Sequence, residues 1–164
     1  MRVLGIDPGT RVMGYGVIEG NDNELSLIEY GALTCSPRTP IAERLRDLYR
    51  DLLDIIRQYR PEFVAVEQPF VAKNARTALA IGRAQTLALL AAANSDLPTA
   101  EYTPAKVKQM VTSFGASSKE QVQEMVRLQL SLPQVPQPDD AADALAVAIC
   151  HLRETHLQNM LAGQ

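Results

Sequence analysis

The spacing of apolar positions changes several times along the 164-residue chain, and each change marks an element. Residues 2–7, 13–19 and 25–34 alternate and are rich in β-formers. Pro8-Gly9-Thr10 and Gly20-Asn21-Asp22-Asn23 separate them, which predicts three strands in an antiparallel meander. Ile41, Leu45, Leu48, Leu52, Ile55 and Ile56 then recur at helical spacing, with Pro40 at the first turn. After Pro61, Phe63-Val64-Ala65-Val66 predicts a short buried strand that runs straight into Glu67.

Residues 75–94 predict an Ala/Leu-rich helix that is apolar around most of its circumference, and residues 98–102 a last strand. Thr103-Pro104 is a helix cap followed by proline at the first helical position. Ser117 with Glu120 reads as a capping box opening a helix to about Leu130. Pro133, Pro136 and Pro138 stiffen a loop before a final helix from Asp139 to about Thr155, with residues 157–164 expected to fray. Together these elements predict one α/β domain over residues 1–156, a five-stranded mixed sheet flanked by helices in RNase H-like order.

Composition narrows the class. Hydrophobic residues make up 46% of the chain, enough for one core, and charges interrupt every apolar stretch before a membrane span is reached. Two cysteines, Cys35 and Cys150, cannot make a disulfide framework, and the N-terminus lacks a signal-peptide layout. A cytoplasmic protein with no membrane partner is expected. The net charge of −3 is not that of a basic phosphate-binding chain. Its distribution is uneven: residues 68–130 carry 7 Lys/Arg against 4 Asp/Glu, and all four lysines lie there.

Four carboxylates stand out by context. Asp7 and Glu67 each end an apolar strand, and Asp140 and Asp143 share one face of the first turn of an Ala-rich helix. Each alone reads as a solvated acid or a complement to a helix dipole. Asp139 reads as a cap or surface acid outside the site. Gathered together, the four would repel one another unless cations neutralised them, and hard ions such as Mg²⁺ or Mn²⁺ suit oxygen donors. His151 and His156 stand apart near the C-terminus, form no zinc pattern, and read as surface or packing residues.

Four motifs then fall in register. Gly5-Ile6-Asp7-Pro8-Gly9-Thr10-Arg11, Gly14-Tyr15-Gly16, Val66-Glu67-Gln68-Pro69-Phe70-Val71-Ala72-Lys73-Asn74 and Asp140-Ala141-Ala142-Asp143-Ala144-Leu145-Ala146 resemble the RuvC family of bacterial Holliday-junction resolvases. The resemblance runs from residue 1 to about 155. It implies a homodimer that makes paired symmetric nicks in four-way junction DNA during recombination and repair, leaving 5′-phosphates. It further implies Asp7, Glu67, Asp140 and Asp143 as ligands of two Mg²⁺ per subunit, with Mn²⁺ a plausible substitute. Lys108 and Lys119 match basic residues beside the scissile phosphate, and Phe70 matches an aromatic that stacks on an unpaired base. Lys73 and Arg76 are candidate phosphate contacts, the helix after them supplies part of the dimer interface, and a branch-migration motor complex (RuvA and RuvB) is the implied partner. Two alternatives use the same carboxylates: an RNase H-like nuclease acting on RNA, and a non-catalytic junction-binding module.

Overall fold

Short turns and alternating apolar positions produce the meander. In the computed structural model, which describes residues 1–21, 24–68 and 74–163, β1 (Arg2–Asp7), β2 (Val12–Gly20) and β3 (Leu25–Thr34) pair antiparallel in sequence order. The helix α1 (Ile41–Tyr59) then crosses over to β4 (Phe63–Glu67), which lies parallel to β1. A second crossover through α2 (Ala75–Ala93) places β5 (Thr99–Tyr102) parallel to β4. The sheet order is β3-β2-β1-β4-β5, so β1 is central and its C-terminal end lies beside that of β4. Three helices follow: α3 (Pro104–Thr112), α4 (Lys119–Gln129) and α5 (Asp139–Ala162).

The period of two along each strand sorts side chains onto two faces. Leu4 and Ile6 of β1 and Val64 and Val66 of β4 pack with Leu48, Leu52, Ala84 and Ala88 of α1 and α2. Val3 and Ala65 point the other way, into a core made with α3, α4 and α5. Asp7 shares the parity of Val3, and Glu67 that of Ala65. Both acids therefore open onto the α5 side.

The centre of that face is α5, fully buried from Ala144 to Cys150. It lies against the sheet at backbone distance because β1 and β2 carry glycines beneath it. A Cβ on Gly5 would come within 2.1 Å of the Ala144 carbonyl oxygen, and one on Gly14 within 1.9 Å of the Asp140 carbonyl oxygen. Small helix residues complete the fit, with Ala141, Ala144 and Ala148 fully buried.

Three local expectations need correction. The capping box of α4 is formed by Ser118 and Gln121, each side chain bonded to the other's backbone N–H, rather than by Ser117 and Glu120. Ser117 is buried and donates to the Phe114 carbonyl at 2.8 Å, which takes its hydroxyl away from the helix end. The stretch expected to fray after His156 is helical to Ala162, although Leu157, Met160 and Leu161 are exposed. Helix propagation is cheap once a long, buried helix is nucleated. Pro40 is the residue before α1 rather than within its first turn.

Candidate active site

Strand register brings the first two acids together. Ile6 pairs with Val66 in the parallel ladder, so the next residues, Asp7 and Glu67, leave adjacent strands side by side. Their carboxyls lie close enough for each to perturb the titration of the other. The third and fourth come from α5, whose first turn rests on Gly14, and Gly14 is the ladder partner of Asp7. One sheet position thus sets the separation between the strand acids and the helix acids.

The electrostatics follow from burial first and from this crowding second. Burial, reinforced by Glu67, Asp143 and Asp140, pushes the Asp7 carboxyl up to about 8. Burial and the charge of Asp143 push Glu67 up to about 7, against the pull of Lys119 and Lys108. Asp143 is raised as well, first by burial, although its hydrogen bond to Lys119 opposes the shift. At neutral pH the Asp7–Glu67 pair therefore retains a proton, because two carboxylates in contact cannot both ionise readily.

Two lysines face Glu67 and Asp143 across a cleft of about 190 Å³, completed by Pro104, Val107, Val122 and Ala146 around Lys108 and Lys119. Lys108 projects from α3, whose start is capped by the Thr103 side chain. Lys119 is the first residue of α4, directly after the Ser118 capping box. Its Nζ lies 2.9 Å from Asp143 Oδ2 and 3.6 Å from Asp139 Oδ2. Burial works against this ammonium, but the Asp143 hydrogen bond and the charges of Asp143, Asp139 and Asp7 hold its pKa above the usual value.

Among the described residues, no three Asp, Glu, His or Cys side chains converge closely enough to cage an ion. Asp143 is instead paired with Lys119, 2.9 Å from its Nζ. The donors nevertheless fit a hard divalent cation. They are all carboxylate oxygens, and their mutual repulsion already recruits a proton and an ammonium as stand-in positive charge.

Of the other expected site residues, Arg76 is exposed in the first turn of α2 and its backbone N–H donates to the Asn74 side chain, a helix cap not anticipated from sequence. Phe70 and Lys73 lie outside the described residues. Both histidines lie on α5, away from these acids in sequence. His151 stacks on Phe63 with ring centroids 3.8 Å apart and sits 2.8 Å from the Tyr102 hydroxyl. Burial pushes its pKa down to about 4, so it is a neutral packing residue. Sequence reasoning missed the support under α5. The Gly14-Tyr15-Gly16 spacing was the available signal, since alternate glycines in a strand point to close backbone approach on one face.

Comparison with known proteins settles the lineage. Residues 3–151 match the family model for the crossover junction endodeoxyribonuclease RuvC, a span that contains all four carboxylates and both cleft lysines. The chain belongs to the RuvC family. A RuvC of Dehalococcoides mccartyi is 60% identical over 151 residues, covering 92% of each chain. One from Desulforamulus reducens is 57% identical, covering 92% of this chain and 93% of the relative. The structure of Thermus thermophilus RuvC in complex with a Holliday junction substrate matches with a TM-score of 0.92 at 34% identity, over 96% of both chains. The yeast mitochondrial Holliday junction resolvase shares the fold at 15% identity, with a TM-score of 0.66 over 96% of this chain and 82% of that one. The RuvC fold is thus the five-stranded mixed sheet expected from the sequence, in a nuclease family. Among the described residues no helix is long and apolar enough to cross a membrane.

Proposed function

We propose that this RuvC-family chain resolves four-way DNA junctions by metal-dependent hydrolysis of phosphodiester bonds. The observation that carries the reading is the cleft in which Glu67 and Asp143 face Lys108 and Lys119, with Asp7, raised in pKa with Glu67 by burial and neighbouring charge, beside Glu67. Asp7, Glu67, Asp140 and Asp143 would hold two Mg²⁺ ions, with Mn²⁺ able to replace them. When bound, such ions lower the pKa of water for attack and stabilise the leaving oxygen of an in-line displacement.

The protein's own groups do the rest. The Asp7–Glu67 pair, which retains a proton at neutral pH, would have to release it to serve as ligands. Lys108 and Lys119 stand at the cleft wall, where they place the scissile phosphate and offset the charge that develops on it. Phe70 is assigned to the unpaired base at the crossover, and Lys73 and Arg76 to flanking phosphates. Symmetric nicking of two strands requires two such sites, hence a homodimer. The exposed Leu79 of α2, together with Gly82, where an added Cβ would meet nothing within 4 Å, makes that helix the proposed contact face. A cytoplasmic role in recombination and repair beside a branch-migration motor completes the reading.

The test uses a synthetic four-way junction, a matched linear duplex and an RNA–DNA hybrid, each with Mg²⁺, Mn²⁺ or EDTA. The expected result is paired nicks in the junction alone, dependent on metal and absent in Asp7→Asn, which still binds the junction. Cutting of the hybrid instead would move the substrate to RNA. Tight junction binding without cutting in either metal would make the chain a binding module.

A further inference from the structure

The four-carboxylate scheme leaves out one acid that reaches a lysine of the cleft. Asp139 opens α5 immediately before Asp140, and its Oδ2 stands 3.6 Å from Lys119 Nζ, while Asp143 Oδ2 stands 2.9 Å from the same nitrogen. One ammonium is thus shared by two carboxylates of different standing. Asp143 belongs to the ligand set proposed above, whereas Asp139 is about half exposed and does not.

The ammonium of Lys119, 2.9 Å from Asp143 Oδ2, would repel a divalent cation held by the same carboxylate. Loading the site is therefore easier when Lys119 swings away from Asp143. The lysine backbone stays fixed by the Ser118 capping box, so the ammonium moves by side-chain rotation alone. Asp139 is already within ion-pair distance of it, at the start of the same helix that carries Asp143.

We propose that Asp139 is a positioning residue that takes over Lys119 when Asp143 turns to a divalent cation. It keeps the ammonium at the cleft rim, where substrate phosphate arrives, and lowers the cost of opening the Lys119–Asp143 pair. This inference rests on the metal-dependent reading of the site.

The test reads Mn²⁺ binding to the DNA-free protein by electron paramagnetic resonance, with no activity measured. Asp139→Asn should weaken binding about two- to fivefold, the scale of a partly exposed ion pair. Asp139→Glu should retain wild-type binding. Lys119→Met should tighten binding by removing the competing ammonium, and adding Asp139→Asn to it should then change nothing. An equal loss from Asp139→Asn with and without Lys119 would overturn the proposal, since Asp139 would then act only as bulk negative charge. Unchanged Mn²⁺ binding in Asp139→Asn would overturn it while leaving the metal-dependent reading intact. A wild-type protein that binds no Mn²⁺ would overturn both.

Discussion

Replacing Gly14 by alanine tests whether the sheet-to-helix distance sets the site. The added Cβ would sit 1.9 Å from the carbonyl oxygen of Asp140 and 3.0 Å from the Ala141 nitrogen, where ordinary contact begins at 3.4 Å. Both atoms are backbone, so no side-chain rotation relieves the clash, and α5 must retreat from β2 by about 1.5 Å at its first turn. Overpacking of this kind costs about 1–3 kcal/mol. The effect on chemistry should be larger, because Asp140 and Asp143 move with the turn while Asp7 and Glu67 stay with the sheet. A displacement of about 1 Å in a reacting constellation can cost on the order of 100-fold in rate.

Urea unfolding gives the first quantity, and single-turnover cleavage of a four-way junction the second. Gly115→Ala is the control. Its Cβ comes no nearer than 3.9 Å to the Ala105 carbonyl oxygen, and its stability should change by about 0.5 kcal/mol or less. Wild-type stability and cleavage in Gly14→Ala would refute the reasoning, since α5 would then have room that the geometry denies it.

Three further outcomes are expected. Because burial raises both Asp7 and Glu67 above their unfolded values, to about 8 and about 7, the unfolded chain releases these protons first as pH rises. In EDTA, stability should therefore fall from pH 5 to pH 8, by on the order of 3 kcal/mol after discounting for coupling, and Asp7→Asn should flatten the slope in urea titrations; a rising profile would contradict the crowded-acid account. Ser118→Ala should cost about 1 kcal/mol through the lost cap and loosen the turn that carries Lys119, seen as faster amide exchange at the start of α4 with exchange in α5 unchanged. Gly82→Ala should add about 1 kcal/mol of stability, read as a higher urea midpoint, because alanine is the better helix former and nothing obstructs its methyl; weaker self-association in sedimentation would place α2 in the dimer contact, and unchanged association would remove it.

What could be read from the chain, and what could not, divides on whether a signal is local. Asp7 and Glu67 were legible because each ends an apolar strand, and the parity of the strand then dictates its face. Asp140 and Asp143 were legible from their spacing on one helix. The α4 cap was misplaced by one residue because Ser117-Ser118 offers two hydroxyls ahead of Glu120-Gln121. The choice between them depends on Thr112 and Phe114, which bond Ser117 from the preceding turn. The end of α5 was cut short because Leu157, Met160 and Leu161 no longer mark a buried face, yet backbone hydrogen bonding continues regardless. The role of Gly14 was out of reach for a similar reason: what a missing side chain makes room for lies about 126 positions away in sequence and becomes visible only after folding.

The placement of α5 also has a bearing on biosynthesis. Chains emerge N-terminus first, and β1 to β5 can be complete while residues 139–162 are still being made. Until that helix docks, the glycine-floored surface of β1 and β2 stays open and Asp7 and Glu67 lack half of their constellation. A nascent or truncated chain thus has no assembled cleft with which to cut, and nuclease competence arrives together with closure of the core.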